Sequence, residues 1–478
     1  MTLSLMAHLP PAFRLAGRAV TNLFAPSHTP TPHPSPQGGG DSCRSCTSPV
    51  HGGSVSESPS PLWGGVRGGG ILRSRLLSLL ALALLLAPLP AAAQNINAQF
   101  QRWLADDLWP EARSGGISKA TFDAAFKGVT PNLDLPDLVM PGKEAAVPQA
   151  QHQAEFRSPG DYFAHIGGVV SGGRQRARTQ ADTLAAVERR FGVPGGIVLA
   201  IWGRESGFGS ARIPHNAMQV LATKAFMATR KEMFRAEILA ALQMVERGVP
   251  LASMRSSWAG ALGQPQFLPS SYVKHAVDMD GDGRADIWNS VPDTLGSIAN
   301  YLAHYGWVRG RDWGFEVTVP DGVSCALEGP DRGRRISDWA AMGIARIGGR
   351  PFPAHEARAE GFLLMPAGRH GPAFIVTPNF YVLKQYNESD LYALFVGHAA
   401  DRIAHGDRGF AGKWGAVGGL KRSDVAAMQR GLQRAGYDTG GADGLAGFRT
   451  RRSIGEWQQR QGQAPTCFPE RAMLGRLK

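Results

Sequence analysis

A glutamate at the end of an apolar helical segment is the residue of this chain best suited to acid–base chemistry. Glu205 follows the apolar run at 196–202 and precedes a glycine-rich break at 207–209. Partial burial there disfavours the charged carboxylate and predicts a raised pKa, which a general acid needs to protonate a glycosidic oxygen near neutral pH. Because most helix-end glutamates are solvated or act as caps, Glu205 alone does not establish an active site.

A second chemical pattern is an aspartate-rich loop whose spacing fits that of an EF-hand. Residues 278–289 read DMDGDGRADIWN, with glycine at the sixth position and asparagine where an EF-hand has a bidentate glutamate. That replacement predicts modest Ca²⁺ affinity, and Asp293 is a further possible ligand. The alternative is a solvated Asp/Gly turn. The predicted metal ligands are Asp278, Asp280, Asp282, the backbone carbonyl of Arg284, Asp286 and Asn289.

The segment 71–93 has the pattern of a secretory signal peptide. Two arginines precede an apolar stretch of about a dozen residues, which is too short to span a membrane, and Ala91–Ala93 offer a cleavage site. No cysteine follows that site, so we expect no lipid anchor and we expect export to the periplasm. Residues 1–70 are rich in Pro, Gly and Ser, and we interpret them as a disordered extension from a misassigned start codon.

The composition indicates an anionic partner. The formal net charge is +12 and the pI is about 9.8, which suits nucleic acid, a membrane surface or an anionic cell-wall polymer. No basic run stands beside interleaved aromatic residues, so a nucleic-acid partner is not expected. A disulfide between Cys325 and Cys467 is chemically possible in the periplasm, but the two fall in different predicted domains, and we therefore expect two unpaired thiols.

The hydrophobic pattern predicts three regions after the signal peptide. Helical spacing dominates 94 to about 248, and alternation at 315–319 and 374–376 predicts short strands in a small mixed subdomain. A helix is predicted over 389–405. A glycine-rich segment at 409–419 predicts a flexible linker, followed by a separate helical module at 420–478.

Five motifs, in order, closely resemble those of the lytic murein transglycosylases of the membrane-bound B type. They are Glu205–Ser206, the block SSWAGALGQPQFLPSSY at 256–272, DGDGRADIW at 280–288, ANYL at 299–302 and YNES at 386–389. The resemblance covers about 156–403. It implies a lysozyme-like fold and non-hydrolytic cleavage of the β-1,4 bond between N-acetylmuramic acid and N-acetylglucosamine, which leaves a 1,6-anhydro sugar.

The resemblance also implies residue roles. Glu205 would be the sole catalytic acid and base, and no cofactor would be needed for the chemistry. Arg230 and Lys231 would form a basic pair near the peptide stem. The turn at 214–217, PHNA, departs from the family pattern. The residues expected to hold the sugar and its N-acetyl groups are Ser257, Gln266, Tyr301, Tyr386, Asn387 and Tyr392.

One carboxylate can suffice if the substrate supplies its own nucleophile, whereas other glycosidases use two. No second acid appears in the sugar-binding blocks around Glu205. A hydrolytic muramidase would place another carboxylate within about 5–9.5 Å of it. A non-catalytic wall-binding scaffold is the alternative of a different class, although a scaffold would not require a part-buried glutamate.

Residues 424–477 resemble a three-helix peptidoglycan-binding domain, through MQRGL at 428–432, GYD at 436–438 and Asp443–Gly444. The predicted fold class is therefore α+β, mainly α. We expect a lysozyme-like catalytic domain over 94–408 with a small mixed β subdomain, a linker over 409–419, and the C-terminal domain over 420–478. The expected partner is peptidoglycan and the expected state is a monomer.

Overall fold

The computed structural model describes residues 91–142, 159–406 and 408–477. The predicted extension over 1–70 and the signal peptide up to residue 90 lie outside the described residues. The described chain is mainly helical with a small antiparallel sheet, which confirms the predicted fold class. Among these residues, no helix has both the length and the apolar content needed to cross a membrane.

The helices account for most of the described chain. A π-helical turn, Leu104–Leu108, connects α1 to α2. In chain order the α-helices are α1 Ala91–Trp103, α2 Trp109–Ser114, α3 Lys119–Phe126, α4 Ile166–Thr179, α5 Ala181–Phe191, α6 Gly195–Ser206, α7 Ala217–Met227, α8 Lys231–Glu246, α9 Pro269–His275, α10 Val291–His304, α11 Ile336–Ala341, α12 Pro378–Tyr386, α13 Asp390–His405, α14 Arg422–Arg434 and α15 Phe448–Arg460.

The strands form two sheets. A two-stranded ladder pairs β1 with β2, and a five-stranded antiparallel sheet has the order β4-β6-β7-β3-β5. The predicted strands at 315–319 and 374–376 are confirmed as β3 and β7, which pair with Phe315 opposite Ile375. The strands are β1 His215–Asn216, β2 Arg255–Ser256, β3 Gly314–Thr318, β4 Arg334–Arg335, β5 Ala345–Arg346, β6 Glu360–Leu364 and β7 Ala373–Val376.

The chain divides into two compact units, and the division falls within α6 and α10. The glutamate unit comprises the described residues of Pro34–Val147 and Trp202–Tyr301. It contains Glu205, the block at 256–272 and the aspartate loop. The sheet unit comprises the described residues of Pro148–Ile201 and Leu302–Lys478, and therefore the five-stranded sheet, α12, α13 and the C-terminal helices.

Local capping explains where several helices begin. The Asn216 side chain accepts a hydrogen bond from the Gln219 amide at the start of α7, and Thr377 does the same for Asn379 at the start of α12. Ser389 caps α13 by accepting from the Tyr392 amide. Such caps satisfy amides that have no partner inside the helix.

The C-terminal module has its own apolar core but is also joined to the sheet. Val425, Met428, Leu432, Ile454 and Trp457 are buried together. Cys467 instead packs in the core beneath the sheet and forms a disulfide with Cys325. The expectation of two unpaired thiols is therefore wrong. It assumed that separate sequence regions form separate bodies, whereas both cysteines enter one core.

The segment 409–419, for which the sequence predicts a flexible linker, makes specific contacts with residues far from it in the chain. The amides of Ala411 and Gly412 donate to the Glu316 carboxylate at 3.0 and 2.7 Å, and the Gly415 amide donates to the His370 carbonyl at 2.6 Å. Aromatic residues between the glycines supply further contacts. Trp414 stacks on Phe163 with ring centroids 5.5 Å apart. The glycine count predicts a flexible linker, and these hydrogen bonds and ring contacts show where its backbone and Trp414 are anchored.

Candidate active site

Glu205 lies in the last turn of α6, as its sequence position predicts. Its side chain is half-buried, while Trp202 and Ser206 beside it are buried. The helix stops because Gly207, Phe208 and Gly209 all adopt positive φ. The Ser206 hydroxyl accepts a hydrogen bond from the Gly209 amide at 3.0 Å, which holds the turn closed. The carboxylate is thus carried on a rigid helix end.

Gln264 attaches this helix to the block at 256–272 and to the aspartate loop. Its side-chain oxygen accepts from Trp202 Nε1 at 2.8 Å, and its amide nitrogen donates to the Trp288 carbonyl at 2.9 Å. Its backbone amide donates to the Ile287 carbonyl at 2.9 Å. Sequence analysis did not single out Gln264, although it sits within the matched block. Gln264 therefore links the end of α6, the block at 256–272 and the aspartate loop.

Gln266 holds an uncommon backbone conformation at a predicted sugar-binding position. Its φ is +53°, a region that non-glycine residues visit rarely and at a cost. The side chain donates to the Gly263 carbonyl at 2.8 Å, and the backbone amide donates to the same oxygen at 3.3 Å. Gly263 itself needs positive φ, and a Cβ there would lie 2.7 Å from the Ile287 carbonyl.

Ser257 and Tyr301, two further predicted sugar-binding residues, are largely buried in the glutamate unit. The Ser257 hydroxyl accepts hydrogen bonds from the amides of Ala259 and Ala261. The Tyr301 ring lies 4.9 Å from His275 and 5.6 Å from Phe267. Their exposed fractions are 7% and 8%, so only a small part of each side chain is open to a ligand.

The turn that departs from the family pattern is built into the same block. His215 pairs with Ser256 and Asn216 with Arg255 in the two-stranded ladder. The Arg255 guanidinium also donates to the Pro214 carbonyl. The unusual sequence therefore forms an ordered connection between the Glu205 turn and the start of the block.

The aspartate loop brings together four carboxylates, but not the four that the EF-hand spacing predicts. Oxygen atoms of Asp278, Asp280, Asp282 and Asp293 lie within 4.8 Å of one another. Asp286 is not in this group. Its side chain accepts from the amides of Trp288 and Asn289 at 2.9 and 3.0 Å.

The Asn289 side-chain amide donates to Asp286, and the ligand role expected for Asn289 stays a prediction. The Arg284 amide donates to Asp282, and its own side chain is exposed. Asp293, which follows the loop, is the fourth carboxylate of the cluster. It is fully buried and accepts from the amides of Met279 and Asp286 at 2.7 and 2.8 Å.

Burial raises the pKa of the Asp293 carboxyl, backbone amides lower it, and the neighbouring Asp280 raises it further. Among the described residues, no lysine or arginine forms an ion pair with any of the four clustered aspartates. Four carboxylates at this spacing fit the oxygen-rich coordination that Ca²⁺ prefers.

The predicted basic pair lies at the start of α8. Arg230 precedes the helix with its guanidinium 5.8 Å from the Phe234 ring, and Lys231 is exposed. A buried lysine missed in the sequence lies nearby. Burial lowers the pKa of Lys224 to about 8, and its ammonium donates to the Pro136 carbonyl and faces the Trp258 ring at 4.9 Å.

The sheet unit holds the other predicted sugar-binding residues on the connection between α12 and α13. Tyr386 ends α12 and is half-buried, and Asn387 follows it with 6% exposed. Tyr392 is fully buried, with its ring parallel to Tyr386 and 6.5 Å away. Asn387 and Tyr386 therefore carry the polar atoms of this connection, while Tyr392 supports them from within the core.

Comparisons with known proteins identify both parts of the chain. The family described as "Transglycosylase SLT domain" matches residues 99–401, and the "Putative peptidoglycan binding domain" matches residues 421–477. "Membrane-bound lytic murein transglycosylase B" of Escherichia coli (strain K12) is 33% identical over 227 residues, which cover 47% of this chain and 60% of that protein. The match thus spans about three fifths of that relative's length.

Solved structures extend the similarity. SltB3 from Pseudomonas aeruginosa, in complex with NAG-anhNAM-pentapeptide, has 39% identity and a TM-score of 0.71 over 79% of this chain and 99% of its own. Soluble lytic transglycosylase SltB1 of the same organism, in its catenated form, has 28% identity and a TM-score of 0.50 over 63% of this chain and 96% of its own. The predicted family and C-terminal domain are confirmed, and the chain belongs to the lytic transglycosylases of the SLT domain family.

Proposed function

We propose that this protein is a periplasmic lytic transglycosylase that cleaves the β-1,4 bond between N-acetylmuramic acid and N-acetylglucosamine in peptidoglycan and leaves 1,6-anhydro ends. The observation that carries the proposal is Glu205, a half-buried carboxyl fixed at the end of α6 beside the Gln264–Gln266 turn. Similarity to SltB3 over 99% of its length supports it, because structures of that protein contain NAG-NAM- and NAG-anhNAM-pentapeptides.

In this mechanism, one carboxyl group acts twice. Glu205 donates its proton to the glycosidic oxygen as the bond from that oxygen to C1 of the muramyl residue breaks. The resulting carboxylate accepts the proton of the muramyl C6 hydroxyl as that oxygen bonds to C1. The proton balance closes with Glu205 protonated again. No water is consumed, so the product is an anhydro sugar rather than a reducing end.

The remaining residues bind and orient the substrate. We assign sugar and N-acetyl recognition to Gln266, Tyr386 and Asn387, with Ser257, Tyr301 and Tyr392 supporting them. Arg230 and Lys231 are suited to a carboxylate of the stem peptide, because both are cations and Lys231 is exposed. The protein would act as an exported monomer without a lipid anchor.

The aspartate loop is assigned a structural Ca²⁺ site with Asp278, Asp280, Asp282 and Asp293 as ligands. Because Gln264 joins the Trp288 carbonyl to α6, an ordered loop would also hold the block near Glu205 in place. The ion would supply structure and not take part in the reaction.

The test of the proposed function is substitution of Glu205 by glutamine, which is nearly isosteric but cannot transfer a proton. Release of anhydro-muropeptides from purified sacculi should fall by at least about 10²–10⁴-fold, while the melting temperature stays close to wild type. Mass spectrometry separates the mechanisms, since anhydro products are lighter than hydrolytic ones by one water, about 18 Da.

The exposed Glu188, at the end of α5, offers a matched control. Glu188→Gln should release products at the wild-type rate. Near-normal release by Glu205→Gln would remove Glu205 from the mechanism, and hydrated reducing ends from the wild-type enzyme would favour a hydrolytic muramidase instead.

A further inference from the structure

A buried ion cluster links the C-terminal module to the connection that carries Tyr386 and Asn387. Arg451 of α15 is 3% exposed and donates to both oxygens of Glu328, at 3.0 Å from Nε and 2.6 Å from Nη2. The same Nη2 donates to Asp390 Oδ2 at 2.8 Å. One guanidinium of the C-terminal module therefore joins two carboxylates from the part of the sheet unit that precedes the module.

Asp390 is the first residue of α13 and follows the connection directly. Its other oxygen accepts from Lys384 of α12 at 2.6 Å. Asp390 is thus held from both sides, by a cation on the helix before the connection and by a cation from the C-terminal module. Its neighbour Ser389 caps α13, and the Ser389 amide donates to the Asn387 side chain at 3.1 Å.

The charges in this cluster are balanced internally. Burial opposes ionisation of Asp390, but Lys384 and Arg451 outweigh it and hold the pKa of that carboxyl below its usual range. Burial raises the pKa of Glu328, and Arg451 opposes that rise. A buried charge that loses its partner destabilises the folded state. Displacing Arg451 would therefore destabilise the cluster and would remove the contact between Asp390 and the C-terminal module.

We propose that Arg451 is a positioning residue for the sugar-binding connection, so that the C-terminal module completes the substrate site in addition to binding the wall. The inference rests on the proposed function and deepens it. Arg451 fixes Asp390, Asp390 fixes the start of α13, and that start fixes Asn387 through Ser389. The module therefore acts on the catalytic domain through a defined contact.

The neighbouring arginine provides a matched control. Arg452 also comes from α15 and also reaches the sheet unit, where it donates to both oxygens of Asp331 at 2.8 and 2.9 Å. Asp331 is half exposed and is not part of the connection between α12 and α13. Arg452 therefore attaches the module to Asp331 without holding Asp390.

The first experiment measures hydrogen exchange in the full-length protein without substrate. Arg451→Lys keeps the charge but cannot hold Glu328 and Asp390 in the same planar geometry. We expect exchange of the Ser389, Tyr392 and Ala393 amides to rise about tenfold, whereas Arg452→Lys should leave them unchanged. Equal exchange in the two variants would overturn the proposal. If Arg451→Lys does not fold, Asp390→Asn is measured in its place with the same two outcomes.

The second experiment is a double-mutant cycle in kcat/KM on a short soluble glycan. Arg451→Lys should lower kcat/KM about tenfold, mainly through a raised KM, and its effect should shrink to about twofold or less in an Asn387→Ala background. Arg452→Lys combined with Asn387→Ala should be additive. Additivity for Arg451 as well would show that it acts only on overall stability.

The two proposals can fail separately. If the wild-type enzyme releases no anhydro product, the proposed function is wrong, yet the exchange measurement still decides whether Arg451 orders the connection. If anhydro product forms but exchange and kinetics do not distinguish Arg451 from Arg452, the positioning role alone is wrong.

Discussion

The aspartate loop and the Arg451 cluster both concentrate acidic side chains, and they balance the charge in opposite ways. The loop gathers four aspartates, and within the described chain they receive hydrogen bonds from backbone amides and Ser290 but no ion pair. The Arg451 cluster gathers Glu328 and Asp390 around two cations of the same chain, Arg451 and Lys384.

The difference indicates which contact each cluster serves. Carboxylates crowded without a counter-ion repel one another, so the loop is poised to gain stability from an external cation. Carboxylates paired with arginine and lysine need no external cation. The Arg451 cluster therefore joins two parts of one chain without a bound ion. The first is therefore expected to depend on solution conditions, and the second on an intact C-terminal module.

The largest effect that separates the two clusters should come from Asp390→Asn. Removing one partner of a buried ion pair leaves Lys384 uncompensated, and we expect a loss of about 3 kcal/mol in the free energy of unfolding at pH 7, with or without Ca²⁺. Chemical denaturation measures it. Asp123→Asn is the control, because Asp123 and Lys119 are each 59% exposed and such pairs contribute below about 1 kcal/mol.

The pH dependence of that loss gives a second check. Because the folded-state pKa of Asp390 lies below its ordinary value, the unfolded state binds the proton more tightly. The stability contributed by the carboxylate is therefore present above the ordinary aspartate pKa and is lost as the pH falls below about 4. The difference between wild type and Asp390→Asn should shrink over that range. A constant difference down to pH 3 would contradict the assignment.

The next effect should come from calcium. At a free concentration of about 100 times Kd, an ion that binds only the folded state stabilises by about 2.7 kcal/mol, so the melting temperature should rise with millimolar Ca²⁺ and fall with chelator. Asp282→Asn should remove most of this increment. Without Ca²⁺ the same variant should be no less stable than wild type, because it relieves repulsion while keeping an oxygen for the Arg284 amide.

Relative to wild type, Asp282→Asn should lower stability with Ca²⁺ but not without it. Asp390→Asn should lower stability under both conditions, and this contrast distinguishes the loop from the Arg451 cluster. A wild-type melting temperature that ignores Ca²⁺ and chelator would remove the cation site. An unchanged Ca²⁺ increment in Asp282→Asn would place the ion elsewhere.

What the sequence predicted well is local. The end of α6 at Glu205, the strands at Phe315 and Phe374 and the helix after Ser389 all follow from periodicity and turn residues within a few positions. The aspartate loop shows where this stops. Spacing correctly groups Asp278, Asp280 and Asp282, but the fourth carboxylate of the cluster is Asp293 and not Asp286.

The missed features all join residues far apart in sequence. The disulfide spans 142 positions, and Arg451 lies 123 positions from Glu328. No periodicity or local motif encodes such pairs, since they depend on how the C-terminal module packs against the sheet. The contacts of the glycine-rich segment at 409–419 are of the same kind, because its partners Glu316 and Phe163 lie elsewhere in the chain.

The smallest expected effect tests a carboxylate that accepts hydrogen bonds from two backbone amides of a segment distant in sequence. The two oxygens of Glu316 accept hydrogen bonds from the backbone amides of Ala411 and Gly412. Glu316→Gln would keep one oxygen as an acceptor, but its side-chain NH2 group would face the other backbone amide, and two donors cannot pair. Hydrogen bonds to a charged group contribute about 1.5–3 kcal/mol, and we expect a loss of about 1.5 kcal/mol. Glu360→Gln on the exposed end of β6 is the control, with an expected change within about 0.5 kcal/mol.

Because the segment would be released locally, hydrogen exchange at Ala411, Gly412 and Gly415 should quicken before the rest of the sheet unit changes. Equal protection of these amides in Glu316→Gln and wild type would mean that Trp414 and its aromatic partners hold the segment without the carboxylate.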